Sequence, residues 1–384
     1  MKEIFQKVAD EIGTPVYIYF EKILEERINK VKNVFEEINF FPTFAAKANN
    51  NPAILKILKN HGFGVDILGE GELLACKIAS IEGDKIVWNG NGKTKEQKDL
   101  MKEYKVKYVN VDSKEEFENL WKNEDDFELF LRVNPDIDAK THPYISTGLK
   151  KHKFGVDFKT AEEILKSQKI SGVHIHIGSQ ITDVKPFKEA IEKTLKLCQK
   201  YNIEKINIGG GWGIKYKDEN ELNTQEYKEE IIPLLKNFKL VINELGRFII
   251  APAGFLLTRV TLIKKTEKKF FVVTESGMNH LLRPALYNAY HEIEVLNNSK
   301  DEILADVVGP LCESGDFLAK ERKIKKPEIG ELLVIKNAGA YGFSMANNYN
   351  GTVRPAEVLI TKDGKIKLIR KRETFDELFK NVIL

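Results

Sequence analysis

The chain has 384 residues, 42% of them hydrophobic and 30% charged, with 60 Lys and Arg against 57 Asp and Glu and a formal net charge of +3. That apolar content supplies a buried core and excludes a disordered chain. The interspersed signs exclude a polybasic tail for nucleic acid or a polybasic patch for a membrane surface. The length suits one large α/β barrel with a companion domain.

In chain order, the first 20 residues are amphipathic with no long apolar stretch, so neither a signal peptide nor an anchor is expected there. No window reaches the ~18 apolar residues of a membrane span. Residues 15–19 are β-rich, a run that can join the β domain that follows the barrel, and 21–37 read as a helix leading into the barrel. Eight short β-rich runs then alternate with charged, helix-period segments: 43–48, 64–67, 85–89, 108–111, 127–133, 171–177, 205–208 and 239–243. Several helices announce their starts. Asn51 before Pro52 reads as an N-cap with proline at the first helical position, and Thr94 to Gln97, Ser113 to Glu116 and Thr160 to Glu163 read as capping boxes. Strand alternating with helix implies parallel strands and right-handed crossovers, and eight such units point to a (β/α)8 TIM-type barrel rather than an open sheet. We place the barrel at 16–253. Beyond it the pattern changes to paired β-runs, 255–263 with 270–274 and 358–361 with 365–369, the second pair joined by Lys362-Asp363-Gly364. This predicts a C-terminal antiparallel β domain over 254–384, joined by 1–15.

Barrel enzymes gather reactive groups at the C-terminal ends of their strands. Those ends carry Lys47, Asp66, Asn89, Arg132, His176, Gly209-Gly210-Gly211 and Glu244, a set that core packing would not select. A lysine inside a barrel strand loses solvation, and a neutral amine condenses with carbonyls; alternatively Lys47 snorkels or pairs with Asp66. The Gly209 to Gly213 segment after a strand is either an anion cradle of backbone N–H groups or a tight turn. Asn89 to Thr94 fails the phosphate-loop pattern, because Val87 stands where its first glycine belongs, and the Gly-rich segments hold no dinucleotide-binding fingerprint. Glu244-Leu245-Gly246-Arg247 is either a two-ended cofactor hold or an ion pair between strand ends. His174 and His176, two apart, share a strand face as a metal pair or as one stacking and one packed ring. A metal would want further ligands at other strand ends, where no other histidine stands, so no metal is expected. Three cysteines, Cys76, Cys198 and Cys312, are odd in number and far apart, which points to a reducing cytoplasm. Cys312, in a polar turn with Glu313, is a proton donor or a small buried apolar residue.

These positions lie in motifs spread over nearly the whole chain: Phe44-Ala-Ala-Lys47-Ala-Asn-Asn50, Asp138 to Leu149, His174 to Asp183, Gly209-Gly-Gly211, Arg283-Pro-Ala-Leu-Tyr287, Val308 to Asp316, Ala338-Gly-Ala-Tyr341-Gly and Arg354-Pro-Ala-Glu357. With them the chain resembles the meso-diaminopimelate decarboxylases, which are alanine-racemase-like (fold type III) pyridoxal phosphate enzymes. The resemblance implies decarboxylation of meso-2,6-diaminopimelate to L-lysine, the last step of bacterial lysine biosynthesis. It implies Lys47 as the lysine that holds pyridoxal 5'-phosphate covalently, with Asp66 in the same site and His176 stacked on the ring. Ser179, Gly209, Gly210, Gly211, Gly246, Arg247 and Tyr341 would help hold the cofactor, and Glu244 would hold its ring proton. Arg247, Arg283, Tyr287, Glu313 and Tyr341 would bind substrate, and Cys312 would protonate the carbanion. It also implies a homodimer whose sites are shared across the interface. The chain departs from the usual pattern at Gly69, at Leu245 where proline is usual, at Glu275-Ser276 and at His280 in place of an acid.

Overall fold

The structure, a computed structural model, describes residues 1–138 and 153–383. Most of the Asp138–Leu149 motif therefore lies outside the described residues. The chain divides into two compact units, one comprising Arg27–Lys215 and Asn220–Phe248, the other Met1–Glu26, Tyr216–Glu219 and Ile249–Leu384.

The first unit is a closed barrel of eight parallel strands: Phe40–Ala45, Gly64–Ile67, Ile86–Trp88, Tyr108–Val111, Glu128–Arg132, Gly172–His174, Lys205–Asn207 and Leu240–Leu245. Each pairs with the next, and the ring closes where Phe40 sits opposite Val241. The helix starts obey local chemistry. Asn51 accepts from Ala53 N–H at 2.9 Å, and Thr94 and Gln97 form a complete capping box. The helix Phe158–Leu165 starts earlier than expected: Asp157 is its cap and accepts from Thr160 N–H at 2.7 Å, so Thr160 lies inside the first turn. The carboxylate is the stronger acceptor and reaches the free N–H first.

The barrel interior is closed at the N-terminal end of its strands by an apolar layer of Val87, Tyr108, Phe130 and Ile242, with Phe41 and Leu240 packed against it. Two strand glycines make this layer possible. A Cβ on Gly64 would lie 2.4 Å from the Phe41 ring, and one on Gly172 would lie 2.4 Å from the Phe130 ring. Burying a ring such as Phe130, 0% exposed, stabilises the fold by roughly 1.5–3 kcal/mol.

The second unit is a nine-stranded sheet, mostly antiparallel. The strand Val16–Phe20 lies here, in the β domain that the run 15–19 can join, although the barrel segment is placed from residue 16. It pairs antiparallel with Gly254–Lys265 and parallel with Ala356–Ile360. A second parallel pairing joins Phe270–Thr274 to Glu302–Val308. All five residues of Val16–Phe20 are buried, so the strand needs cover on both faces, which a local pattern cannot assign to one sheet or another. The Arg354 to Glu357 motif serves this sheet. Glu357 is fully buried, accepts from Tyr19 Oη at 2.7 Å, and pairs with Arg370 at 2.5 Å. Two departures from the family pattern explain each other: the Ser276 hydroxyl lies 3.2 Å from His280 Nδ1, whose Nε2–H donates to Val353 O at 3.1 Å. Burial holds this imidazole down at about 4, so it is neutral where an acid is usual. Leu245 remains in the barrel ladder opposite Phe44.

Candidate active site

Side chains two residues apart on a strand share a face. Moving two residues along from the apolar layer leads from Val87 to Asn89, Tyr108 to Asn110, Phe130 to Arg132 and Ile242 to Glu244. From the two spacer glycines the same step leads from Gly64 to Asp66 and from Gly172 to His174. All six of these residues are buried, and they form a polar layer at the C-terminal ends of the strands. Asn207, at the end of its own strand, joins them.

Glu244 is the centre of this layer. Its Oε1 accepts three amide donors: Asn89 Nδ2 at 2.8 Å, Asn110 Nδ2 at 2.8 Å and Asn207 Nδ2 at 2.6 Å. Asn89 also donates to Asp66 Oδ1 at 2.5 Å, and its Oδ1 accepts from Asn110 at 2.6 Å. The His174 ring stands 3.3 Å from Oε2. Burial opposes a charge on Glu244, but hydrogen bonds at its oxygens from His174 and the Asn89 amide favour the ionised form, and the carboxyl lies well below the usual range. Asp66 goes the other way: burial first, then the Glu244 charge, drives its carboxyl well up, against the pull of Lys47 and Asn89. The two buried carboxyls are thus driven apart, Glu244 toward its charged form and Asp66 toward its protonated form. Asn110 and Asn207 are the functional residues that strand-end reading passes over; their signal is a polar residue at an inward-facing position of an otherwise apolar strand.

The two histidines part company. The strand ends at His174, and burial keeps that imidazole neutral despite Glu244. His176 lies beyond the strand and accepts Gly210 N–H at Nδ1, 3.1 Å away, which leaves its proton on Nε2. Burial, then the charges of Lys47 and Arg132, push its pKa well down. The imidazoles therefore turn to different partners, rather than forming the pair that their spacing allows. The glycine run is tightly built: a Cβ on Gly210 would lie 2.1 Å from Glu244 O, and one on Gly211, at φ +112°, would lie 2.5 Å from Gly178 O. Its amides are not equivalent. Gly209 N–H donates to Asn207 Oδ1 at 2.9 Å and Gly210 N–H to His176, whereas Gly211 N–H has no acceptor among the described residues. Nearby, Arg247 Nη2 donates to Ser179 Oγ at 3.1 Å, and a Cβ on Gly246 would lie 2.8 Å from Ala48 Cβ.

Lys47 differs from the desolvated strand lysine that the sequence suggests. Its strand ends at Ala45, and Lys47 stands on the 3₁₀ turn Ala46–Ala48, exposed between two buried alanines. Its charge still reaches Asp66, Glu72 and His176 and shifts all three. The donor set fits a phosphorylated pyridine aldehyde: an amine at the barrel mouth, a neutral imidazole, a backbone amide without an acceptor, and an anionic carboxylate. Glu244 Oε1 is saturated by amides, while Oε2, 3.3 Å from His174 Nε2, keeps acceptor capacity for a cationic ring N–H.

The remaining candidates lie in the sheet unit. Arg283 is buried, donates from Nη1 to His291 Nε2 at 2.7 Å, and lies over the Tyr216 ring at 4.8 Å. His291 in turn donates from Nδ1 to Lys336 O at 2.8 Å. Tyr287 ends the short helix Arg283–Tyr287. Tyr341 has a left-handed backbone at φ 56°. Cys312 and Glu313 are exposed on one loop, so Cys312 is not a buried apolar residue. Burial pushes the Cys76 and Cys198 thiols up to about 12, which makes them unreactive.

Residues 21–251 match the family model described as the pyridoxal binding domain of pyridoxal-dependent decarboxylases. The diaminopimelate decarboxylase of Aquifex aeolicus is 41% identical over 389 aligned positions, which cover 97% of this chain and 92% of that one. Among solved structures, diaminopimelate decarboxylase from Helicobacter pylori complexed with L-lysine superposes with a TM-score of 0.91 at 35% identity, covering 98% of each chain. The enzyme of the same name from M. jannaschii, in co-complex with L-lysine, gives 0.89 at 37% identity, covering 98% of this chain and 94% of that one.

Proposed function

The chain belongs to the diaminopimelate decarboxylases, and from that membership and the barrel geometry we propose that it converts meso-2,6-diaminopimelate to L-lysine and CO2 with pyridoxal phosphate as cofactor. The observation that carries this reading is the Glu244 carboxylate, ionised inside the barrel with three amides on one oxygen. Pyridoxal phosphate, when bound, supplies a sink for the electron pair left as the bond to the departing carboxylate breaks.

The protein supplies position and charge. Lys47 provides the amine that holds the aldehyde, and Glu244 holds a proton at the ring nitrogen, within reach of the Asp66 and Asn89 network. His176, neutral and fixed at Nδ1 by Gly210, presents its ring as a flat apolar wall. Gly211, with Ser179, Gly246 and Tyr341, is assigned to the phosphate, whereas Gly209 and Gly210 support the cradle from behind, since their own amides are engaged. Arg247, Arg283, Tyr287 and Glu313 are assigned to substrate. Arg283 suits a carboxylate because its guanidinium is held from one side by His291 and from its face by Tyr216. Glu313 suits the distal ammonium, and Cys312 the delivery of a proton to carbon. A site built for both distal charges rejects lysine and ornithine, which would leave one of those groups unpaired. The active form is a homodimer sharing its sites. Among the described residues no helix is long and apolar enough to cross a membrane, and three free thiols suit a cytoplasmic location.

The test is CO2 release by purified protein supplied with pyridoxal phosphate, comparing meso-diaminopimelate with lysine, ornithine and arginine. We expect release from meso-diaminopimelate alone, with L-lysine formed in equal amount. Release from ornithine or arginine in preference would overturn the substrate assignment.

A further inference from the structure

The strands Glu302–Val308 and Phe317–Lys325 pair antiparallel, and the turn between them, 309–316, carries Cys312 and Glu313. The turn is closed at its base. Asp316 N–H donates to Glu313 O at 3.0 Å, and Gly309 N–H to Asp316 O at 3.3 Å. At the tip, Cys312, Glu313 and Ser314 are exposed, so little packing fixes them. Asp316 is different: it is buried at 4% exposure, and its two carboxylate oxygens hold two separate segments. Oδ1 accepts from Met278 N–H at 2.6 Å, and Oδ2 accepts from Leu311 N–H at 2.7 Å, one residue before Cys312.

Two glycines admit this carboxylate. A Cβ on Gly277 would lie 2.0 Å from Asp316 Oδ1, and one on Gly309 would lie 2.4 Å from Oδ2 and equally close to Gly277 Cα. Each carboxylate oxygen is pinned by a main-chain donor, so the side chain cannot swing aside for a methyl group. The Gly277-Met278 pair and the Gly309 to Asp316 segment therefore act as one device. A carboxylate accepting main-chain N–H groups makes the stronger, shorter kind of hydrogen bond. Here the two bonds tie the tip-bearing turn to a segment 38 residues away in sequence.

We propose that Asp316 is a positioning residue that clamps the 309–316 turn to Met278 and thereby fixes where Cys312 and Glu313 are presented to substrate. This rests on the function proposed above, because Cys312 and Glu313 take their roles from it. Asparagine in place of Asp316 keeps the size but not the chemistry: one oxygen still accepts, while the amide NH2 faces a second N–H and repels it.

The experiment compares Asp316→Asn with the wild type, both as holoenzymes. Losing one charge-assisted bond and creating a donor–donor contact lowers kcat/KM for meso-diaminopimelate by at least about tenfold, mostly through KM. The visible absorbance of the bound cofactor stays unchanged, and alkylation of Cys312 by iodoacetamide, the only exposed thiol of the three, changes rate several-fold. Rates of turnover and alkylation both within twofold of wild type would overturn the proposal. Gly309→Ala, which drives a methyl group against Oδ2, gives the same signature. Hydrogen exchange of the wild type needs no variant: the Leu311 and Met278 amides exchange slowly if the clamp holds, and fast exchange at either contradicts it. A wild type with a slow-exchanging clamp that decarboxylates none of the amino acids would defeat the proposed function and leave the clamp standing.

Discussion

Two layers of side chains inside one barrel, separated by two residues on the same strands, have opposite chemistry. The lower layer of Val87, Tyr108, Phe130 and Ile242 is apolar and is completed by glycines that yield space to rings. The upper layer of Asp66, Asn89, Asn110, His174 and Glu244 is equally buried and entirely polar. Burial alone therefore does not mark the core of this protein. The lower layer gains from leaving water. The upper layer tolerates it only because each carboxyl has donors or a proton, with Glu244 charged and Asp66 protonated. Unpaired, such groups would cost several kcal/mol each, so their presence marks a site rather than packing.

The largest expected effect is at the mouth above the upper layer. Lys47→Ala should lower turnover of meso-diaminopimelate by at least about 1000-fold, because no other amine is assigned to the aldehyde. The melting temperature should stay close to wild type, since the Lys47 side chain is exposed. Retained turnover would remove Lys47 from the mechanism. In the lower layer the effect reverses. Phe130→Ala should cost about 3–5 kcal/mol in unfolding free energy, read by denaturant titration, while the folded fraction keeps its kcat/KM. A loss of activity without a loss of stability would break the division between layers.

A smaller effect sharpens the comparison within the upper layer. Asp66 has a native pKa raised by burial and by Glu244, so its contribution to stability is fully present below the unfolded value of about 3.9 and is lost as pH rises through the native one. Asp66→Asn, which mimics the protonated acid, has no such loss. Its melting temperature should gain on the wild type as pH rises above the unfolded value of about 3.9. A difference constant with pH would mean that Asp66 is not the protonated member of the pair.

The barrel is legible from alternation and caps, because both are local: Asn51 and Thr94 cap where the pattern places them. Strand Val16–Phe20 is legible only as a β-run open to the second domain, since its partners are more than 200 residues away and nothing in five apolar residues names them. The site is legible where an unusual side chain stands at or just past a strand end, as at Asp66, His176 and Glu244. Asn110 and Asn207 stay hidden because a single amide in a strand is unremarkable until three converge on one oxygen. Lys47 stands out in the sequence, but its surroundings do not: the strand stops two residues before it, a boundary that its small, apolar neighbours obscure. The roles of Gly209 and Gly210 depend on hydrogen bonds, one to Asn207 two residues back and one to His176 after another strand, and the second is a contact that no spacing encodes.

The most direct measurement uses one strand. Ile242 and Glu244 lie two residues apart on Leu240–Leu245, one in each layer. Unfolding free energy and CO2 release from meso-diaminopimelate should be measured together for Ile242→Ala and Glu244→Gln. The account predicts a loss of roughly 2–5 kcal/mol in stability with nearly unchanged kcat/KM for the first. For the second it predicts a fall in kcat/KM of about 100-fold or more with little change in stability, because glutamine still accepts the three amides but carries no charge for a ring cation. Full activity in Glu244→Gln, or a collapse of both quantities in both variants, would contradict it.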